Sequence, residues 1–471
     1  MESFQMSKMM NRAGRSEGDV NNRKYFTQQQ DHFDDQNVNT WQQAYYINDT
    51  FWKGASSNAP VFLCVGGEGP ALTPAVTVNS VHCSNAVEWL PETGGLFFAV
   101  EHRYYGCHNM SACPVTSFSP SPKEALRFQG SKQALADLAV FHAHATKAYG
   151  LTASNKWVSW GGSYPGMLAG WFRVKYPQLV HAAVASSAPV HAKVEMSEYN
   201  DWTAFAYTVE SVGGSEKCSA NIADGHARIG KMMDTDEGRQ ELKSLFPQIP
   251  SADWLKIRSN RRDFAGEGVA YFPTQGNDPV CGQPACNIEK ICAIMTDNAT
   301  TTCNVKKLAQ VSSIQSVMIE EAQRFANATM GDWADYWGYQ TCTEFGFYQT
   351  CDNGSKCMYT QGLDLLRDQI AFCQTEFDIS PDAVVQNVNN SNAYYGALHP
   401  DATRIIWPNG EVDPWSTLSI LTSPGPEMPT LWVTGASHHA WTHAYQPNDQ
   451  KSVKDARLAI RKQVGAWLEE A

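Results

Sequence analysis

Lys156-Trp-Val-Ser-Trp-Gly-Gly-Ser-Tyr-Pro-Gly-Met-Leu-Ala-Gly-Trp-Phe-Arg-Val-Lys-Tyr-Pro177 holds two periodicities in one run. Trp157 to Trp160 alternates aromatic and β-branched residues and reads as a strand near its end. Met167 to Tyr176 spaces its apolar residues as a helix does. Gly161, Gly162, Ser163 and Tyr164 join the two, so Ser163 stands at the apex of a sharp strand-to-helix turn. Such a turn exposes a serine hydroxyl and points a helix N-terminus at any anion that forms there. The usual pattern has a second glycine two residues after the serine, and this chain has Pro165, then Gly166. Proline costs little in the first turn of a helix, where its missing N–H has no partner to lose. A Gly-Ser turn without chemistry is the competing reading of the tripeptide alone.

Outward from this elbow, the chain supplies the partners a serine nucleophile needs. These are a neutral imidazole to take the hydroxyl proton and a buried carboxylate to hold that imidazole. Asp413 follows the strand-like Arg404-Ile-Ile-Trp-Pro, in a turn built from Asn409, Gly410 and Pro414. His438 follows the next strand-like run, Thr430-Leu-Trp-Val, behind Gly435. The chain order Ser163, Asp413, His438 is that of the α/β-hydrolases. His439 competes with His438 on spacing, and Asp401 competes less well with Asp413 because it precedes its strand. His82, His142, His144, His181 and His443 read as ordinary surface or core residues.

Pro60-Val-Phe-Leu-Cys-Val65 and Leu96-Phe-Phe-Ala-Val100 are short, continuous apolar runs, as expected of parallel strands covered on both faces. The first runs into Gly66-Gly-Glu-Gly-Pro70. A glycine there lets backbone N–H groups approach a substrate oxygen, so Gly67 and Tyr164 are the candidate oxyanion donors. Glu101-His-Arg-Tyr-Tyr-Gly106 ends the second run, and a structural Glu101–Arg103 pair is as good a reading there as a substrate contact. Trp41 to Ile47 and Val180 to Pro189 read as further strands. Ser131 to Tyr149 reads as a helix packing on the sheet.

The expected architecture is therefore α/β, an α/β-hydrolase fold with an inserted, disulfide-rich helical cap. Residues 1–23 read as a disordered segment, 24–190 and 396–471 as the two parts of the hydrolase domain, and 191–395 as the cap. Sheet-like runs disappear within the cap. Helical stretches at 239–246, 307–326 and 361–377 alternate there with cysteine-rich loops, and residues 456–470 form a closing helix. With 471 residues the chain exceeds what a single core usually serves.

A formal charge of −12 argues against nucleic acid and anionic membranes as partners. No apolar run is long enough to span a bilayer. Thirteen cysteines without a C-x-x-C pair point to disulfides and an oxidising compartment, not to metal. The odd count leaves a free thiol, and Cys64, inside an apolar run, is the candidate. Six N-x-S/T sequons (Asn48, Asn109, Asn298, Asn327, Asn353 and Asn389) fit a secreted or lysosomal glycoprotein. The first thirty residues are polar and contain no apolar signal segment, so a truncated or re-started gene product is expected. Peptides are the expected partners, with a homodimer left open, and no metal or other cofactor is expected.

These motifs, with Gln30-Asp-His-Phe at the front of the chain, resemble the serine peptidases that include lysosomal Pro-X carboxypeptidase and dipeptidyl peptidase II. Ala185-Ser-Ser-Ala-Pro, Ser197-Glu-Tyr-Asn-Asp and Gln340-Thr-Cys-Thr-Glu-Phe-Gly-Phe-Tyr resemble the thymus-specific branch. The resemblance runs from about residue 25 to the C-terminus. It implies a triad of Ser163, Asp413 and the first histidine of the pair, with cleavage after proline. It also implies a proline pocket lined by Met167, Phe347 and Trp415, and disulfides Cys342–Cys373 and Cys218–Cys351. Where relatives follow the His-His pair with an apolar-Asp-apolar-Arg run, this chain has Ala440-Trp-Thr-His.

Overall fold

The computed structural model describes residues 23–107, 112–114, 122–299, 301–325 and 333–470. Residues 1–22, read above as disordered, and the sequons at Asn109 and Asn327 lie outside the described residues. Arg23, assigned above to that first segment, instead opens strand β1.

An eight-stranded sheet forms the centre, in the order β1-β2-β4-β3-β5-β6-β9-β10. Its strands are β1 (Arg23–Gln29), β2 (Thr40–Asn48), β3 (Val61–Val65), β4 (Leu96–Val100), β5 (Trp157–Gly162), β6 (Ala182–Ser186), β9 (Ile405–Gly410) and β10 (Thr430–Val433). The pairings β1–β2 and β2–β4 are antiparallel, and those from β4 through β10 are parallel. The continuous apolar runs are legible in the packing. Val61, Leu63, Val65, Leu96, Phe98 and Val100 face one core, while Phe62, Cys64, Phe97 and Ala99 face the other. That is the two-residue alternation of a strand with both faces covered. Helices α1 (Ser131–Tyr149) and α2 (Tyr164–Lys175) supply the first core. The closing helix, five residues longer at its front than expected, runs from Lys451 to Glu469 and supplies the second.

Between β6 and β9 the chain leaves the sheet. Helices α3 (Ser197–Ala206), α4 (Glu216–Met232), α5 (Asp236–Leu245), α6 (Arg258–Ala265), α7 (Ile288–Thr296) and α8 (Asn304–Phe325) come first. Then follow α9 (Trp333–Gln340), α10 (Leu366–Phe377) and α11 (Pro381–Tyr395). Helices α4 to α8 surround their own apolar core, which includes Ile222, Ile229, Leu242, Ile288 and Leu308. Side-chain oxygens of Ser215, Thr235, Asn287 and Ser380 accept N–H bonds at the starts of α4, α5, α7 and α11. The insertion is not wholly helical: β7 (Lys193–Glu195) pairs in parallel with β8 (Gly346–Tyr348). Three residues each are too few to show an alternation. Within the described residues no helix is long and apolar enough to cross a membrane. The fold is an α/β-hydrolase with an inserted helical cap.

Six disulfides close Cys64–Cys83, Cys107–Cys113, Cys218–Cys292, Cys281–Cys286, Cys342–Cys373 and Cys351–Cys357. Cys342–Cys373 is as the resemblance implied. Cys218–Cys351 is not: Cys218 bonds Cys292 and joins α4 to α7, while Cys351 closes a short loop with Cys357. Cys64 is bonded too, because it faces the second core, where Cys83 also lies. The free thiol is Cys303.

The motifs at residues 30 and 101 meet on α1. Arg103, fully buried, forms two bonds with Asp137, Nε to Oδ2 at 2.8 Å and Nη2 to Oδ1 at 2.6 Å. Its Nη1 also donates to the carbonyls of Gln30 and Phe128, both at 3.0 Å. His32 Nε2 lies 2.7 Å from Asp137 Oδ1. Arg103 is thus paired to Asp137 and not to Glu101, whose Oε1 accepts the Leu72 N–H at 2.6 Å.

Candidate active site

The elbow forms as the alternation and the glycines dictate. Strand β5 runs to Gly162 and α2 begins at Tyr164, both closer to Ser163 than the periodicity showed. Ser163 sits at φ 64° and ψ −133°, a backbone position costly for any residue with a Cβ. Its N–H donates to the Ser186 carbonyl on β6 at 2.9 Å, and its own carbonyl accepts the Met167 N–H at 3.0 Å. Pro165 lies in the first turn of α2, where helix N–H groups lack partners. The glycines allow close approach. A Cβ on Gly162 would sit 2.9 Å from the His439 ring, and one on Gly67 only 2.2 Å from the Pro165 ring. Gly67 therefore packs directly against the residue that follows Tyr164. The N–H of Tyr164, first in its helix, has no acceptor within that helix.

Asp413 and His438 emerge from the carboxyl ends of neighbouring parallel strands. His438 Nδ1 lies 2.8 Å from Asp413 Oδ2, and both residues are buried. The other oxygen, Oδ1, accepts the Trp415 N–H at 3.0 Å and caps the short turn Pro414–Leu418. A carboxylate only accepts, so Nδ1 carries the hydrogen and Nε2 is left with a bare lone pair. That Nε2 is buried and without a hydrogen-bond partner among the described residues, so no bond joins it to the Ser163 hydroxyl in this state. His439 is placed otherwise. Its N–H donates to Ser187 Oγ at 2.9 Å, its Nδ1 lies 3.0 Å from Thr442 Oγ1, and its ring covers Gly162. His82 and His443 pack against His439, with ring centroids 5.1 and 5.5 Å away. Asp401 is exposed, ahead of β9.

Phe347 and Trp415 meet edge to face with centroids 5.3 Å apart, and Trp415 lies 6.4 Å from the His438 ring. Phe347 has φ 67° and follows the π-helical turn Thr341–Phe345. Met167, one turn into α2, is fully buried in the same apolar core. Two residues of the insertion, Tyr199 from the Ser197-Glu-Tyr-Asn-Asp motif and Gln275, bond to this surface, and only Gln275 lacks a sequence signal. The Gln275 carbonyl accepts the His438 N–H at 3.1 Å, and Gln275 Oε1 accepts from Trp415 Nε1 at 2.9 Å and the Tyr199 hydroxyl at 3.0 Å. A lone glutamine in a loop has no periodicity or motif to mark it. Tyr199 and Gln275 also line a cavity of about 800 Å³ whose walls come entirely from the insertion. The charged residues on its wall are Arg262, Asp263 and Glu267. Arg262 is committed to the buried Asp364, Nε to Oδ1 at 2.9 Å. Burial first, and Glu267 next, raise the Asp364 carboxyl to about 6. Among the described residues no cluster of histidine, cysteine or carboxylate side chains could hold a metal ion.

A sequence model of the family described as "Serine carboxypeptidase S28" matches residues 28–460. The thymus-specific serine protease of Homo sapiens is 30% identical over 445 residues, covering 91% of this chain and 83% of the relative. The lysosomal Pro-X carboxypeptidase of Homo sapiens is 25% identical over 464 residues, covering 95% of this chain and 88% of the relative. Among solved structures, the proline iminopeptidase of Mycobacterium smegmatis superposes with a TM-score of 0.36 at 13% identity, covering 90% of this chain and 96% of that one. The chain belongs to the serine carboxypeptidase S28 family and is a serine-type peptidase.

Proposed function

We propose that this S28 peptidase is an exopeptidase that cleaves short peptides on the carboxyl side of proline, or of alanine, through an acyl-enzyme on Ser163. The observation that carries the reading is the buried Asp413–His438 pair with a bare Nε2, set at the strand ends beside the elbow. Ser163 Oγ attacks the scissile carbonyl while His438 Nε2 takes its proton. The new oxyanion is received by the N–H groups of Tyr164 and Gly67. The imidazolium, held by Asp413, then gives the proton to the leaving amine as the C–N bond breaks. Water repeats the sequence to release the acid and free Ser163. Phe347 and Trp415, backed by the fully buried Met167, supply an apolar, rigid contact suited to a pyrrolidine ring. The disulfides and the Pro-X relatives support a lysosomal or secreted location.

The cavity wall favours one end of the peptide. With Arg262 tied to Asp364, the charges left to a ligand are the carboxylates of Asp263 and Glu267. They attract an α-ammonium and repel an α-carboxylate, which supports release of short N-terminal fragments, dipeptides in particular, over release of single C-terminal residues. A fluorophosphonate probe tests the nucleophile: wild type is labelled and Ser163→Ala is not. Mass spectrometry of digested proline peptides with free or acetylated N-termini tests the polarity. Equal cleavage of both would overturn it.

A further inference from the structure

The Tyr164 hydroxyl is fixed from two domains. His102 Nδ1 lies 2.7 Å from the Arg103 carbonyl, which only accepts, so Nδ1 carries the hydrogen. Burial lowers this imidazole to about 4, so it is neutral and its Nε2 is an acceptor. Nε2 takes the hydroxyl hydrogen of Tyr164 across 2.9 Å. The hydroxyl oxygen in turn accepts from Gln340 Nε2 at 2.9 Å. Gln340 belongs to the cap, at the end of α9, and is fully buried.

Its amide can face only one way. Oε1 receives the Tyr105 hydroxyl at 2.7 Å and Gln129 Nε2 at 3.0 Å, while Nε2 also donates to Glu344 Oε2 at 3.0 Å. Flipped, the amide would set its oxygen against the Glu344 carboxylate. Glu344 is itself anchored, accepting the backbone N–H of Ser131 at the start of α1 at 3.0 Å. The chain of donors is therefore directed from Gln340 to Tyr164 to His102. Tyr164 adjoins Ser163, whose strained φ persists only where the surroundings over-determine it. Its ring also packs against Trp337 and Phe345 of the cap, both centroids 5.6 Å away.

We propose that Gln340 is a positioning residue for the reaction at Ser163: through the Tyr164 hydroxyl it holds the elbow so that the Tyr164 N–H faces the oxyanion. The cap thereby completes the oxyanion hole as well as shaping the substrate cleft. The proposal rests on the serine-peptidase reading above. An oxyanion exists only after attack, so a misaimed donor lowers kcat and spares ground-state binding.

The test uses the full chain with Gln340→Met, Tyr164→Phe and the double variant. It compares kcat and KM on a prolyl amide, inhibition by a peptidyl-proline boronate, and inhibition by the proline-ending product. Boronates form a tetrahedral adduct on the serine, and the product does not. Each single variant is expected to lose about ten- to a hundredfold in kcat and in boronate affinity, less than loss of a direct donor. KM and product affinity should stay within about twofold, and the double variant should be no worse than the poorer single, as for groups acting as one unit. Tyr164→Phe removes one oxygen and keeps the ring packing, so it remains informative if Gln340→Met folds poorly. Wild-type kcat in Tyr164→Phe, or equal weakening of boronate and product, would overturn the proposal. A wild-type enzyme blind to the boronate would overturn the serine-peptidase reading itself, and the proposal with it.

Discussion

Asp413 and His438, 25 residues apart in the chain, meet at 2.8 Å across the ends of two adjacent parallel strands. The carboxylate has its second oxygen on the Trp415 N–H, so its orientation is fixed before any substrate arrives. In Asp413→Asn the amide can donate where a carboxylate only accepts, which favours the wrong imidazole tautomer. A fall in kcat of about 10⁴-fold with a nearly unchanged KM is expected. Steady-state kinetics settle it, and rates near wild type would mean another carboxylate orients the base.

Gly67→Ala drives a methyl into the Pro165 ring, 2.2 Å from Cγ and 2.5 Å from Cδ. To relieve this overlap the proline ring or the turn behind Ser163 must shift. The variant should lose at least about tenfold in kcat, the scale of a damaged oxyanion donor. Boronate titration checks it, and full activity would remove Gly67 from the oxyanion assignment.

Substrate choice should be graded. On the proposed reading Phe347 and Trp415 would discriminate proline from alanine by packing, and one or two methylenes are worth only about 1–3 kcal/mol. A preference of roughly ten- to a few hundredfold in kcat/KM follows. Trp415→Ala should erode the proline preference more than it slows alanine peptides. Equal loss on both would mean that Trp415 serves only to hold Asp413 and Gln275.

Thiol titration of unreduced, denatured protein should find one group per chain, Cys303. Mapping the disulfide-linked peptides should return Cys64 with Cys83 and Cys218 with Cys292. A linked Cys218–Cys351 peptide would contradict the fold of the insertion.

Acid should destabilise the protein through two buried histidines. Burial lowers both His102 and His226 to about 4, from an ordinary value of 6.5. Below pH 6.5 the unfolded chain takes up protons that the folded chain refuses, so stability falls until about pH 4 and then levels. Each histidine contributes a loss of about 3 kcal/mol over that window. Asp364, raised to about 6, works the other way, since its buried charge is relieved as pH falls below 6. The net expectation is a lower melting temperature at pH 4.5 than at pH 7. His226→Gln, which cannot titrate, should flatten that slope, and an unchanged slope would remove His226 from the account.

The sheet was legible because β3 and β4 are buried on both faces and show it as unbroken apolar runs. The elbow was legible because glycines concentrate where backbones must touch. The ends of helices were less so. Helix α10 starts at Leu366, after a turn whose polar residues fit a helix as well as a loop. Cys64 was misread because its apolar run fits a core residue, and the run does not show that Cys83 lies on the same side of the sheet. Gln275 lies in no motif, and Gln340, though it opens the Gln340–Tyr348 motif, bonds to Tyr164, Tyr105 and Gln129 far away in the chain, contacts that leave no local pattern.

The knot of Arg103, Asp137, His32 and the Gln30 carbonyl sets a limit on maturation of the N-terminus. A processing protease that trims ahead of Arg23 leaves the knot intact. One that cuts beyond His32 removes β1 together with that carbonyl and that imidazole. Arg103 and Asp137 would then remain buried with fewer partners, a costly arrangement for ionised groups away from water. Any stable processed form should therefore keep Gln30 and His32, and the knot itself serves as the inner boundary of permissible trimming.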